Sequence, residues 1–338
     1  MEVLNILIKD HEKPHRLLQS LVMLQRMELN EREFDEVNRI MRTEMSGYKG
    51  ELKLDYPLSR VHFPNHILHS IRLRNHGSPF QMDSLLLTPR FLLIIEAKNT
   101  PGKIYFSTQN DKMERELDGE ISKYDNPVTQ VEEQKYQLEH WCSNRNLPPI
   151  PIEHLVVFTN KNVDLQLNDF PSRDRGVELF SLNKKIRELS SQYSHSLTSM
   201  HGLKSIGHQI AHSHSPKKVD LIKELGLSKN EIKKGVICPS CNYLHMYYQK
   251  RKWSCPRCSY RSASAYIETL KDYYILESDK INTSTFQKIT KLTARHHAYY
   301  YLNKLNLSVI GGGRSQKYKL EFKGEDFNYL IAPSHSLP

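Results

Sequence analysis

No run of 18 apolar residues occurs in this chain, which excludes a membrane-spanning helix. Met1–His15 carries Glu2, Asp10 and Glu12 and lacks the apolar segment of a secretory signal, so a cytoplasmic protein without a membrane partner is expected. No internal repeat is apparent. Cysteine is scarce, with five in 338 residues. Four of them form two C-x-x-C pairs, which points to metal rather than disulfides in a reducing compartment. The fifth, Cys142, reads as a small buried side chain. The first 216 residues have no basic surplus, 27 Lys+Arg standing against 28 Asp+Glu, whereas Lys217 onward holds 21 against 10. A net charge of +10 placed in this way favours a polyanion for the C-terminal third, nucleic acid before acidic membrane. A hydrophobic content of 38% suffices for packed cores, and the length predicts two or three domains.

The chain is organised around Gln81–Asn99, Q-M-D-S-L-L-L-T-P-R-F-L-L-I-I-E-A-K-N. Two apolar runs, Ser84–Thr88 and Phe91–Ile95, flank Pro89-Arg90 and read as antiparallel strands joined by a tight turn. A turn centred there sets Asp83 opposite Glu96 and Gln81 opposite Lys98. Residues two apart share a face, so these four polar groups converge on one side. Directly opposed Cβ atoms lie roughly 4.5–5.5 Å apart, close enough for two carboxylates to repel. Burying them beside Leu and Ile is costly unless a cation neutralises them. A hard divalent ion such as Mg²⁺ suits oxygen ligands. Lys98 would then lie next to the metal, suited to orienting a water or stabilising phosphate charge.

Asp83, twelve residues, then Glu96-Ala97-Lys98 resembles the D…(D/E)-x-K core of restriction-endonuclease-like nucleases. Together with Gly47-Tyr48-Lys49-Gly50-Glu51, Gln81-Met82-Asp83, Glu96-Ala97-Lys98-Asn99 and Asn126-Pro127…Gln130, the order resembles the nuclease-related domain family, NERD, over about 31–160. The resemblance implies a Mg²⁺- or Mn²⁺-dependent nuclease fold. It adds Glu51 as a third acidic ligand, places Gln130 near the acidic site, and favours DNA over RNA.

Taken in order, Leu4–Leu29 reads as a strand or short helix followed by a helix around Arg16–Arg26, and Glu31–Leu54 as a helix with apolar residues at three- and four-residue steps. Gly47 and Gly50 are expected to let that helix approach a sheet closely, bringing Glu51 towards the hairpin. Ile67–Arg74 reads as a strand and 75–79 as a turn. Gly102–Phe106 is expected to continue the same sheet, and Asp111–Tyr124 to be a surface excursion. Asn126-Pro127 opens an amphipathic helix, Val128–Asn144. Ile152–Asn160 is a buried strand, and Val177–Leu182 a further strand before a helix to about Ser191. The sum is an α/β sandwich, a mixed sheet flanked by helices, over 1–190. Residues 191–216, rich in Ser and His, read as a linker, with His208, His212 and His214 solvated rather than metal-binding.

Cys238, Cys241, Cys255 and Cys258, two C-x-x-C knuckles thirteen residues apart, suit one tetrahedral structural Zn²⁺ in a zinc ribbon spanning 217–265 with a preceding helix. Lys250, Arg251, Lys252, Trp253, Arg257 and Arg261 interleave charge and aromatic surface in a way suited to phosphates and base stacking. In 266–338 a helix at Thr285–Lys304 precedes a glycine-tipped segment bearing Arg314, Lys317 and Lys319, the pattern of a winged-helix wing.

The leading functional expectation is therefore a metal-dependent nuclease. Asp83, Glu96, the Ala97 carbonyl and Glu51 would hold Mg²⁺ or Mn²⁺, Lys98 would align the nucleophile, and Gln81 and Gln130 would orient the lysine or a phosphate. The alternative is a non-catalytic nucleic-acid-binding or protein-interaction module with a relic acidic site. Self-association, or a protein partner for the C-terminal region, stays open.

Overall fold

The structure, a computed structural model, describes residues 5–106, 111–167 and 172–330. The chain forms two compact units, 1–12 with 45–217 and 13–44 with 218–338. Strand β1 (Asn5–Lys9) is followed by helices α1 (His15–Arg26), α2 (Glu31–Leu52) and α3 (Asp55–Ser59). Strands β2 (Asn65–Asn75), β3 (Ser78–Leu87) and β4 (Leu92–Lys98) then run as an antiparallel meander. Next come β5 (Gly102–Phe106), β6 (Lys112–Leu117), β7 (Glu120–Asp125), α4 (Pro127–Ser143), β8 (Ile152–Phe158), β9 (Val163–Gln166), β10 (Gly176–Glu178), α5 (Leu182–Gln192) and α6 (Met200–His212).

The first unit is built on a six-stranded mixed sheet in the order β1-β2-β3-β4-β8-β10. β1 runs parallel to β2, and β8 parallel to both β4 and β10. β8 is buried at every position, as its continuous apolar run requires for a strand covered on both faces. One face packs Leu85, Ile94 and Val156 against Val131, Leu138 and Trp141 of α4 and Leu203, Ile206 and Ile210 of α6. The other packs Leu86, Leu93, Ile95 and Val157 against Leu58 of α3 and Ile186 and Leu189 of α5. This is the expected α/β sandwich. Asn126 accepts a hydrogen bond from the Val128 amide and Pro127 fills the first turn, so α4 starts where the Asn-Pro pair predicts.

Three expectations fail for stated reasons. β5 does not extend the main sheet: it pairs with β6 and β9 in a second sheet, β7-β6-β5-β9. The excursion at 111–124 is the β6–β7 hairpin of that sheet, whose mostly polar side chains hide the strand pattern. The Ser/His-rich linker contains α6, whose Leu203, Ile206 and Ile210 enter the core at helical spacing. His214 is not solvated either; its Nδ1 accepts from the Arg72 amide at 3.0 Å and its Nε2 lies 3.3 Å from Glu12. Cys142 is half-buried against the core, and burial pushes its thiol up to about 11.

The second unit adds α7 (Leu221–Glu224), β11 (Val236–Ile237), β12 (Leu244–Gln249), β13 (Lys252–Ser254), β14 (Arg261–Ser262), α8 (Tyr266–Leu276), β15 (Lys280–Ile281), α9 (Thr283–Thr290), α10 (Arg295–Lys304), β16 (Val309–Ile310) and β17 (Lys317–Lys319). Strands β11-β12-β13-β14 form the ribbon. The remainder follows the helix–strand–helix–helix–strand–strand order of a winged helix, with an antiparallel sheet β15-β17-β16. The single helix expected at 285–304 is two, broken where Lys291 takes φ 55° and ends α9. Helix α1 also belongs to this unit rather than to a domain covering 1–190. Gln19 accepts from the Leu221 amide at 2.7 Å, and Arg26, 4% exposed, pairs with Asp272, 2% exposed, at 2.5 Å. Among the described residues no helix is long and apolar enough to cross a membrane.

The Arg26–Asp272 pair generates a prediction. Arg26 also donates to Thr269 and to the Gly235 carbonyl, so removing it leaves that carbonyl without its donor. It also leaves the buried Asp272 carboxylate without its counter-charge, held among the described residues only by the Tyr329 hydroxyl. Arg26→Ala should cost about 3–5 kcal/mol. Trp141 lies in the first unit and Trp253 in the second, so urea unfolding followed by Trp253 fluorescence in a Trp141→Phe background isolates the effect. A midpoint unchanged from the parent would refute the assignment of α1 to this unit's core.

Candidate functional site

The hairpin register is the expected one: Ser84, Leu85, Leu86 and Leu87 pair with Ile95, Ile94, Leu93 and Leu92. The ladder stops at Ser84, one residue before Asp83. At that level the neighbouring strands are kinked as well. Ser70, opposite Asp83 between the His69–Ser84 and Ile71–Met82 pairs, has φ 50°, and β1 shifts register between Leu7 and Lys9. Leu68 and Ile71, three apart, therefore share one core face, as do Met82 and Leu85. Lys9 Nζ lies 3.2 and 3.3 Å from the carbonyls of His69 and Ser70 at this kink.

Asp83 Oδ2 accepts from the Ala97 amide at 2.9 Å. N–H and C=O of one strand residue leave on the same edge, so the Ala97 carbonyl also faces Asp83. Glu96 is buried, 5% exposed, inside a polar network. Its Oε1 accepts from Lys98 Nζ at 2.7 Å and from Gln130 Nε2 at 2.9 Å, and its Oε2 from Gln134 Nε2 at 3.0 Å. Gln130 Oε1 in turn accepts from Lys98 at 3.0 Å. Burial, then the charges of Glu96 and Glu51, push the Asp83 carboxyl well above the usual range against the opposing pull of the Ala97 amide and Lys98. Glu51, on α2, thus lies near enough for its charge to act on Asp83. A Cβ on Gly50 would fall 2.6 Å from Asn99 Cβ and 3.1 Å from Thr159 Oγ1. Gly47 plays no such part, since a Cβ there would meet open space. Asn99 and Lys53 lock the approach: Asn99 Nδ2 donates to the Ser46 carbonyl at 2.8 Å, and Lys53 Nζ to Asn99 Oδ1 and to the Thr159 carbonyl.

Asp83, Glu96, Lys98, Gln130 and Glu51 are therefore brought together. Gln81 is exposed and paired with Arg72 across β2 and β3, beyond the end of the β3–β4 ladder. Gln134 was missed by sequence reasoning. Its signal was the four-residue step from Gln130, which puts both amides on one face of α4. A second unforeseen group is His11, Asp55 and His69, whose ligand atoms lie within 4.8 Å of one another. The imidazoles stack at 3.7 Å, and Nε2 of His11 and of His69 lie 2.8 and 3.7 Å from Asp55 Oδ1. Ser84 Oγ fixes His69 Nδ1 at 2.7 Å, and burial lowers the His69 pKa to about 3, leaving the ring neutral. Two imidazoles and a carboxylate are a ligand set for a transition metal.

In the second unit the four cysteines converge, with Sγ separations of 3.6 Å for both Cys238–Cys258 and Cys241–Cys255. Tetrahedral ligation at about 2.3 Å puts sulfurs about 3.8 Å apart, so the donor set and its geometry fit zinc. Both knuckles have the same form: Cys238 and Cys255 amides donate to Tyr243 and Tyr260 carbonyls, and Asn242 and Ser259 take positive φ. Lys250, Arg251, Lys252, Arg257, Arg261 and Lys317 are exposed. Trp253 is not available to a ligand; it is fully buried against Tyr248, Tyr266 and Tyr301. Lys319 is engaged by Glu321 at 2.8 Å, and the Arg314 side chain lies outside the described residues.

Residues 46–159 match the family model described as NERD, nuclease-related domain. That segment includes Glu51, Asp83, Glu96, Lys98 and Gln130. The comparison with curated proteins finds no match. Among solved structures, Can2 from Sulfobacillus thermosulfidooxidans, in complex with cyclic tetra-adenylate, is 14% identical over 52% of this chain, with a TM-score of 0.25. The match spans about half of the Can2 chain, and at that score it supports no conclusion about fold or ligand.

The state of Asp83 has a measurable consequence. A carboxyl that titrates higher in the folded chain than its unfolded value of about 3.9 binds more protons when folded, so stability falls as pH rises through that interval. Asp83→Asn keeps an acceptor for the Ala97 amide without the charge. In buffer lacking divalent metal it should melt above the parent near neutral pH, the gain closing as pH falls towards about 4. Each kcal/mol corresponds to about 2–4 °C for a unit of this size. A parent that melts higher than the variant at neutral pH would contradict the charge repulsion inferred here.

Proposed function

We propose that the first unit hydrolyses phosphodiester bonds with Mg²⁺ or Mn²⁺, acting on nucleic acid with DNA favoured, and that the second unit binds the substrate. The observation that carries this reading is the cluster at the open end of the hairpin, where Asp83 sits on the Ala97 amide and Glu96 on Lys98, and where burial, then Glu96 and Glu51, hold the Asp83 carboxyl well above the usual range. Asp83 Oδ1, the remaining lone pair of Glu96 Oε2, the Ala97 carbonyl and Glu51 would hold the ion, which when bound supplies Lewis-acid polarisation of the phosphate and a more acidic water. Gln130 and Gln134 fix the Glu96 carboxylate so that it does not turn away when Lys98 moves. Lys98, tethered to Glu96 and Gln130, directs an ammonium donor at the attacking water or a phosphate oxygen. Zinc at the four cysteines serves structure, because all four positions are protein ligands.

A non-catalytic reading has one observation in its favour: Glu96 already accepts three hydrogen bonds within the protein. Incubation of the full chain with labelled duplex DNA, single-stranded DNA and RNA decides between them. With Mg²⁺ or Mn²⁺ added, the parent should cleave, while Asp83→Ala, Glu96→Ala and Lys98→Ala should each lose about 100-fold or more, in line with removal of a group acting in the transition state. Cleavage that survives Glu96→Ala, or that needs no added metal, would refute the assignment. Elemental analysis should return about one zinc per chain, lost on Cys→Ser change at any of the four positions. Zinc retained by the Cys241→Ser chain would refute the ligand set.

A further inference from the structure

We propose that the ribbon tip and helix α10 form one cationic, aromatic face that binds duplex nucleic acid, with α10 as the element that enters a groove. This rests on the reading of the second unit as the substrate-binding part, and it adds residues and a strand state that the reading did not specify. Three observations converge on it.

The first is topology. α10 is the third helix in a winged-helix order and is followed directly by the β16–β17 hairpin, the position of the groove-entering helix in helix-turn-helix domains generally. Its inner side, Ala298, Tyr301 and Leu302, is spent on the core. Its outer side presents Arg295, His296, Tyr299, Tyr300, Asn303 and Lys304, with both tyrosines about half exposed, 53% and 51%. Tyr300 packs edge-on against Tyr301 at 5.2 Å, yet about half of Tyr299 and of Tyr300 stays open to a ligand.

The second is the distribution of charge. From Ile232 to Ile267 there are seven Lys+Arg and no Asp or Glu, and from Lys280 to Leu320 eight and none. The unit's acids sit elsewhere: in 13–44, in 220–231, on α8 and directly after it, and beyond Leu320. Among the described residues, none of Lys250, Arg251, Lys252, Arg295 and Lys304 is ion-paired. The first turn of α10 carries Arg295 and His296 with no acid, the reverse of what the helix dipole favours in isolation.

The third is the way the ribbon tip joins α10. Gln249 pairs with Lys252, so Lys250-Arg251 is a two-residue hairpin turn with φ 50° and 60°. Such a turn favours Asn-Gly, and this chain places two cations there despite the backbone strain. The tip is held against α10: Tyr301 Oη donates to the Arg251 carbonyl at 3.0 Å, and the Tyr248 ring lies 4.9 Å from His297. The cations of the tip and of α10 thus belong to one rigid surface, suited to a helix in a groove with the tip on the adjoining phosphates. Trp253 is buried, so stacking of a single strand on the ribbon would fall to the part-exposed Tyr243, Tyr247 and Tyr260, and the single-strand arm of the test reads what they contribute.

The test uses the full chain in an Asp83→Asn background without added Mg²⁺ or Mn²⁺, and anisotropy with a mixed-sequence duplex of roughly 30 bp, about three helical turns, and with its single strand. Duplex should bind more tightly than single strand. Arg295→Gln with Lys304→Gln should lower the log K against log salt slope by about 1.8 and the duplex affinity roughly 30-fold at about 0.15 M salt, each phosphate contact contributing about 0.9 to the slope. Lys250→Gln with Arg251→Gln should act in the same way, whereas Tyr299→Ala with Tyr300→Ala should lose affinity at unchanged slope. Unchanged affinity and slope in the α10 charge variant, a preference for the single strand, or no binding of either probe would overturn the proposal. Cleavage is scored separately on the chain with Asp83 intact. Duplex binding through α10 without cleavage would sink only the nuclease reading, and cleavage with an α10 variant that binds like its parent would sink only this one.

Discussion

Repulsion between carboxylates held together at the open end of a hairpin is the constraint on which the first unit depends. The register of two apolar strands brings Asp83 and Glu96 to the same end of the hairpin, just past the last Ser84–Ile95 pair, and moving either strand by one residue would turn it inside out. The surrounding structure answers that fixed charge. The ladder ends at Ser84, Ser70 adopts a left-handed backbone opposite Asp83, and Lys9 takes up the carbonyls exposed by the kink. On the other side, two amides of α4 and Lys98 saturate most of Glu96. A glycine lets α2 come close enough for Glu51 to add a third negative charge. A fold selected for stability alone would have separated these groups; concentrating them makes sense where a cation is to be bound.

How much of this was legible in the sequence follows from the range of the forces involved. The hairpin register was legible because period-two burial is a local rule, and the Asn126-Pro127 start of α4 because capping is decided within three residues. The four cysteines were legible because their spacing alone brings them together. The β5–β6–β7 sheet was not, since its strands are short and polar and their partner β9 lies some sixty residues along the chain from β5. Helix α6 was hidden by composition: Ser and His dominate the stretch, and only three apolar residues carry it into the core. The place of α1 in the second unit depends on Arg26 meeting Asp272, a pairing 246 residues apart that no window reveals. Trp253 was misread for a related reason. Beside Lys252 it looked like a stacking platform, but a ribbon this small must bury its largest ring to have a core.

The His11–Asp55–His69 group extends the same logic at the other face of the kink. His69 follows Leu68, and Ser84, which fixes its Nδ1, follows Asp83, so one distortion in the β2–β3 pair presents a carboxylate to one side and an imidazole to the other. The two rings stack at 3.7 Å, where a pair of imidazolium charges would repel strongly; a neutral His69 is what permits the stack. Burial, then the charges of Asp10, Glu51 and Asp55, hold the Tyr48 phenol above the usual range. This end of the sheet therefore carries acids, two stacked imidazoles and a phenol on a backbone already bent to hold them. Its polar groups were not left there by weak packing, because Leu68, Ile71, Met82 and Leu85 around the kink are completely buried. The core is intact up to the residue where the polar groups begin, so within β2 the left-handed backbone of Ser70 falls at the end that carries them.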